Sequence, residues 1–440
     1  MALFEKDLPL NRVENDWPDM SAKNTQEIKH HSRDLPAFPG INYKMKGNKI
    51  AGKIPQQPID ELPAGVYSYN SKFAKELKII RMNIFSDTRW EEFVLSHPDG
   101  LVYHHPAYLK ALEAEYGENG IYLAYVDDAD QVKGIFPLFH TGGFPFRKKD
   151  LTVGERLSSL PRTPLAGPLA VDNDVLRLLL EFAIKEVEEQ GSPSLQIKTT
   201  YSDLHLLQPS LIPVPWRMSY SLELPQNPEA IRFGNSRNHG RLKRSVRCAK
   251  DFGVQVRESD EIEDLRCWYK LYLETMRIHK IPPRSLRFFT LLWENLKPAG
   301  FLQLYLAENG DGLQKQLLAG SIMLGMGNTL FYAFNGSLRS KMHLHQNDAI
   351  QWRAIHDACQ RGFTRYDFGE VTTKNVGLVE FKRKWNSEPV QLFRYYYLAD
   401  KIKISSGYDT ENGYRLLDKI WAHLPLRSTA FIGDMLYRFL

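Results

Sequence analysis

Residues 364–386 read TRYDFGEVTTKNVGLVEFKRKWN. An aromatic-acidic run breaks at Gly369, a polar stretch follows, and Lys382, Arg383 and Lys384 are then held between Phe381 and Trp385. This is either a solvated loop or the floor of a reaction site, and its neighbours decide which. Upstream, FGVQVRES reads as a strand, IEDLRCWYKLYLETMRIHK and LRFFTLLWENL as helices, and FLQLYLAE, QLLAGSIMLGM and TLFYAFNG as three strands whose Asn-Gly-Asp-Gly and Gly-Asn turns favour hairpins. The helix NDAIQWRAIHDACQRG, the strand TRYDFG, the quoted stretch and a last strand QLFRYYYLA complete the unit.

The preceding chain has the same order. LKIIRMNIF is a strand, TRWEEFVLSH and PAYLKALEAEYG are helices, and IYLAYVD, KGIFPLFHT and a stretch near LTVGERLSSL are extended. DVLRLLLEFAIKEVEEQG is a helix with Asn173 or Asp174 as cap and Gly191 as stop, and SLQIKTT and YSLEL close the unit. One plan is thus used twice, over 76–226 and 227–400, with a boundary near Pro225 to Glu229. Hairpins together with a late helical crossover predict an α/β (α+β) class of mixed, mostly antiparallel sheets with helices on both faces. Residues 1–75, rich in Asn, Lys, Pro, Gln and Gly, read as a flexible arm. Residues 401–440 read as an amphipathic helical extension, with Phe431, Ile432, Met435, Leu436, Phe439 and Leu440 as an apolar stripe. That stripe would pack back on the second unit or lie on the inner face of a membrane.

Composition limits the partners. Hydrophobic residues are 43% and charged residues 25% of 440, as in a soluble folded protein. Lys and Arg number 57 against 52 Asp and Glu, so affinity for phosphate must come from local clusters and no DNA-binding field is implied. Cys248, Cys267 and Cys359 form no Cys-x-x-Cys pair, which argues against a disulfide framework or a zinc site and for a reducing cytoplasm. The amino terminus lacks a signal-peptide pattern, and no long apolar run suggests a membrane span.

The chain resembles the Fem-type transferases, tandem GNAT proteins that add amino acids to peptidoglycan precursors, and their acetyltransferase-labelled relatives (BioF2-like) in polysaccharide and exosortase gene clusters. The resemblance is carried by VYHHPAYLKAL (102–112), GIFPLF (134–139), RLSSLPRTPLAGPLA (156–170), RNHGRLKRSVRCAKDFGVQV (237–256), YDFGEVTTKNVGLVEFKRKW (366–385) and WAHLPLRSTAFIGDMLYRFL (421–440). It implies two GNAT units and acyl or aminoacyl transfer, with Phe381 and Lys382 matching a Phe-Lys pair whose lysine polarises the donor carbonyl or holds the donor end. One stretch departs from the acetyl-CoA pattern. Where a glycine-containing loop would admit pyrophosphate, this chain has Arg339-Ser-Lys-Met-His-Leu344. Aminoacyl-tRNA gains weight as donor over acyl-CoA, and no tightly bound cofactor is implied. No heptad arm interrupts the second unit.

Amide formation by direct attack needs a deprotonated amine, an oriented carbonyl and donors for the oxyanion, and no nucleophile motif stands out. Asp367 could accept or orient the amine proton, or simply hold the following loop. Arg383 extends the cation run beside Lys382, while Asn375 and Gly377 are turn residues first and ligand contacts second. Arg241, Lys243, Arg244 and Arg247, with Arg237 and Lys250, form a basic helix suited to phosphates of a nucleotide- or lipid-linked precursor or of tRNA; its alternative is a solvated face. Tyr332 is a candidate ligand wall whose plainer role is sheet cover. His343 and His345 read as loop residues. The sequence therefore predicts a cytoplasmic, membrane-peripheral transferase acting on an envelope or exopolysaccharide precursor. An acyl-CoA-dependent N-acetyltransferase of amino sugars and a non-catalytic envelope-polymer binding module stand as alternatives.

Overall fold

The computed structural model describes residues 78–143, 154–310, 315–399 and 425–437. The expected arm at 1–75 and, from the terminal extension, 401–424 and 438–440 lie outside them. The first half runs β1 (Lys78–Arg81), α1 (Arg89–Ser96), α2 (Pro106–Tyr116), β2 (Gly120–Val126), β3 (Val132–Thr141), β4 (Arg156–Ser158), β5 (Leu169–Ala170), α3 (Asn173–Glu189), β6 (Ser194–Thr199), α4 (Leu204–Leu207) and β7 (Ile212–Glu223). The second runs α5 (Ser236–Asp251), β8 (Val254–Ser259), α6 (Ile262–Ile278), α7 (Leu286–Leu296), β9 (Leu302–Asn309), β10 (Gln316–Met326), β11 (Thr329–Ser337), α8 (Gln346–Gln360), β12 (Arg365–Val371), α9 (Val376–Arg383) and β13 (Glu388–Leu398). A last helix, α10, covers Leu426–Tyr437.

The doubled order is present, but the strands join one sheet, β1-β2-β3-β4-β6-β13-β7-β12-β11-β10-β9-β8, with β5 on β3. The closing strand of each half is exchanged. β7 lies between β12 and β13, and β13 lies between β6 and β7. Hydrogen bonding therefore continues across the boundary read near Pro225 to Glu229. β7 is also longer than YSLEL, because Pro213 and Pro215, which interrupt a sequence reading, are accommodated opposite Tyr395 and Phe393 beside a register shift.

Two helical crossovers produce the two parallel pairs. α3 leads into β6 beside β4, and α8 leads into β12 beside β11. The β11–β12 pairing covers only Thr329–Phe331 against Arg365–Asp367, although both strands continue in the same direction. Beyond Asp367 the sheet opens, and Gly369, at φ 77°, turns β12 away as its register against β7 shifts.

Helices cover both faces. On one, α1 and α2 share a core with α6 and α7, including Trp90, Tyr108, Trp268, Phe289 and Leu292. On the other, α3 buries Leu179, Leu180, Ala183 and Val187 over the first half, and α5 and α8 cover the second. The cap of α3 is Asp172, not Asn173 or Asp174: Asp172 is extended and accepts from the Val175 amide, while its neighbours are already helical. α10 packs on α6, and its Gly433 abuts the segment that joins α6 to α7, where a Cβ would lie 2.2 Å from the Pro283 carbonyl oxygen. The stripe read from the sequence does not supply that contact. Phe431 is 72% exposed and Met435 45%, while Phe439 and Leu440 lie outside the described residues.

Candidate active site

The opening beyond Asp367 belongs to a cleft of about 2280 Å³ lined by both halves. Asp367 lines it from the end of the β11–β12 pairing, and its Oδ1 accepts from Ser219 Oγ at 2.7 Å and the Gly369 amide at 2.6 Å. Burial pushes the carboxyl above its ordinary range, and these two hydrogen bonds oppose the rise. Oδ2 has no hydrogen-bonding partner among the described residues. Ser219 arrives from the exchanged strand β7, so the geometry of this carboxylate depends on the exchange.

The polar stretch after β12 is not a loop throughout. Asn375 accepts from the Leu378 amide and caps α9, which turns Lys382 inward. Lys382 is 3% exposed, and its ammonium donates to the carbonyls of Gly369 at 2.5 Å and Glu370 at 3.1 Å. Tyr220 lies 5.9 Å below as a ring face. Burial lowers the ammonium to about 8, while the charges of Asp367 and Glu370 oppose the fall. Glu370 is bound by Arg217 at 3.0 Å. An acid with a raised pKa and a lysine with a lowered one thus share a secluded wedge, an arrangement suited to proton acceptance and oxyanion stabilisation.

Asp367, Lys382, Tyr332, Asn375 and Phe381 all line the cleft. Tyr332 also packs edge-on to Phe368 at 6.5 Å. Arg383, the next residue to Lys382, is exposed and stands outside the lining. Arg241, Lys243, Arg244 and Arg247 are likewise exposed on α5, which buries only Leu242 and Ala249, and they do not line the cleft. His343 belongs to a 3-10 turn at Arg339–Leu344, and His345 follows it at φ 54°.

Sequence reasoning missed the contributions made across the halves. Tyr103, Arg162 and Arg284 line the cleft with Tyr437 of α10. The Arg284 guanidinium lies 4.6 Å from the Tyr437 ring centroid and donates to Tyr116 Oη at 2.9 Å and to the Arg162 carbonyl. Arg162 Nε in turn donates to the Tyr437 carbonyl. Tyr103, Arg162 and Tyr437 lie in stretches that carry the family resemblance, but no local signal shows that they and Arg284 meet, because their meeting depends on contacts between distant segments. Among the described residues no group of three or more His, Cys, Asp or Glu could hold a metal, and no helix is long and apolar enough to cross a membrane.

Residues 236–383 match the family model described as an acetyltransferase (GNAT) domain. The chain overlays the crystal structure of FemX with a TM-score of 0.59 at 16% identity, over 78% of this chain and 100% of FemX. Weaker overlays, both over 74% of this chain, are with L-PGS from Bacillus licheniformis (TM-score 0.46, 11% identity, 98% of its chain) and a tandem GNAT protein from the clavulanic acid pathway (0.45, 8%, 99%). No protein of curated function matches the sequence. The doubled element order expected from the sequence is the one observed, and its second copy carries the GNAT match.

Proposed function

We propose that this chain, an acyltransferase of the doubled GNAT fold that FemX shares, forms an amide on the amino group of a cell-envelope or exopolysaccharide precursor. The observation that carries this reading is the buried pair Asp367 and Lys382 at the mouth of the sheet opening. The neutral amine of the acceptor attacks the donor carbonyl carbon, and the new C–N bond replaces the bond to the donor's ester oxygen or thioester sulfur. Asp367 Oδ2 accepts the proton lost by the amine, which passes to the leaving oxygen or sulfur. The Lys382 ammonium stabilises the oxyanion, at greater strength because water is excluded.

Two observations favour aminoacyl-tRNA as donor. Asp348 lies in the first turn of α8, held by Lys384 at 2.5 Å, so a pyrophosphate brought to that helix end would meet a carboxylate. Among the described residues no carboxylate lies within ion-pair distance of Arg241, Lys243, Arg244 or Arg247 on α5, which leaves these cations open to a phosphate backbone. The acceptor is read as a nucleotide- or lipid-linked precursor, and a cytoplasmic location with peripheral contact at the inner membrane face accords with it. Phe431 and Met435 on α10 would make that contact; α10 packs on α6 and α5 on α8, on opposite sides of the sheet.

The description of the matching domain favours a second reading, acetylation of an amino sugar from acyl-CoA. Coenzyme A would then raise the thermal unfolding midpoint, and aminoacyl-tRNA would not. Mass spectrometry of cytoplasmic precursors with and without the protein identifies the group transferred. Unchanged turnover by Lys382→Ala in a reconstituted reaction would remove the centre of the proposal, and precursor binding with no transfer from any donor would point to a binding module instead.

A further inference from the structure

The segment 160–168, which follows β4, lines the cleft with Arg162, Thr163, Pro164 and Leu165 and is held in an unusual shape. Leu160 and Arg162 have φ of 62° and 67°, a left-handed conformation that a residue with a side chain keeps only when its surroundings enforce it. Arg162, with its side chain 1% exposed, is where that enforcement converges. Its guanidinium pairs with Glu118 at 2.9 and 3.0 Å and lies 3.9 Å from the Tyr116 ring centroid, both in the first half. Its backbone carbonyl accepts from Arg284 of the second half, and its Nε donates to the Tyr437 carbonyl of α10. A residue 275 positions away therefore helps to hold the turn on which this wall depends.

α10 fits that place closely but is lightly held in it. Thr429 and Gly433 are buried, and Leu426 and Ala430 pack against the core shared by α1, α2, α6 and α7. Only glycine fits at 433, against the Pro283 carbonyl oxygen. At the helix end, where carbonyls run out of helical partners, the Tyr437 carbonyl takes the Arg162 donor and the Tyr437 ring covers Arg284 at 4.6 Å. Arg284 is a firm anchor, since it is buried and its guanidinium also lies 4.5 Å from the Phe288 ring centroid. The large apolar side chains Phe431 and Met435 add little to this docking, because both are exposed. A helix held by small side chains and one ring buries little apolar area, and it opens more readily than the helices of the core.

We propose that α10 is a strap: its docked end clamps Arg162 beside Arg284 and so holds the 160–168 wall of the cleft in the shape that receives the acceptor. The acceptor's part in this rests on the transfer reading above; the clamp itself does not. Hydrogen exchange of the full chain, read by mass spectrometry, tests the clamp. In Gly433→Leu the new side chain cannot fit against Pro283, yet leucine is the better helix former, so any release comes from lost docking. Exchange should rise by about tenfold or more in both 426–437 and 160–168, with α3 unchanged. Tyr437→Ala, which keeps the carbonyl and removes the ring, should move both segments in the same direction, and it is the deciding variant if Gly433→Leu does not fold. Phe431→Ser, on the outward side, should move neither. Release of α10 without the wall, or a helix and wall both unmoved, overturns the strap. In the transfer reaction Tyr437→Ala should raise KM by about fivefold or more for the precursor whose mass changes, with kcat within about twofold. A KM that is unmoved or lower overturns the role of the wall toward the acceptor. If exchange responds as expected while Lys382→Ala leaves transfer intact, the transfer mechanism fails and the clamp stands.

Discussion

Lys382 and Asp367 make opposite demands on pH. The lysine is depressed from 10.5 to about 8, so the charged form on which the proposed oxyanion stabilisation depends is lost as pH rises through that value. Turnover should therefore fall above about pH 8, even though a basic medium frees the acceptor amine. Lys382→Arg, which stays charged, should abolish that alkaline limb in a pH–kcat profile even if its maximum is lower. Lys382→Ala should lower kcat by about a hundredfold or more, as loss of an oxyanion donor does. The Ser219 hydrogen bond lowers the Asp367 pKa, so Ser219→Ala should move the acid limb to higher pH; an unmoved limb would exclude Asp367 as the base. Lys382, Asp367 and Phe381 could be picked out in the sequence because they lie in one short stretch. Ser219 could not, since it is 148 positions from the carboxylate it serves.

At the scale of elements, the hairpins and the strongly periodic helices were legible because turn residues and apolar spacing are local signals. α9 was not. Its first turns, Val376-Gly-Leu-Val, look like a loop until Asn375 caps them, and only then does Lys382 turn toward the carbonyls of β12. Asn375→Ala should cost about 1 kcal/mol and lower the unfolding midpoint by a few degrees, with a drop in kcat if α9 shifts Lys382. Close helix–sheet contact matters equally beneath the site. A Cβ on Gly336 of β11 would stand 2.5 Å from the Tyr272 backbone nitrogen of α6, so Gly336→Ala should cost about 1–3 kcal/mol in denaturant unfolding.

In the whole molecule, exchange of β7 and β13 ties the halves together. The closing strand of each half is paired with strands of the other, so each half leaves unpaired edges and an open core if made alone. Chains ending at 226 and beginning at 227 should be insoluble or molten when produced separately and should recover a folded complex when produced together; independent cooperative folding of either half would contradict the exchange. The repeated element order, the GNAT class and the stretch bearing Lys382 were determined by the sequence itself, because periodicity, turn chemistry and short motifs act between neighbours in the chain. Tertiary structure alone decided that the halves trade strands, that α5 faces outward, and that Ser219 and Arg284 enter the cleft. Those outcomes depend on which edges pair and which faces meet, and such choices are made by contacts between residues far apart in sequence.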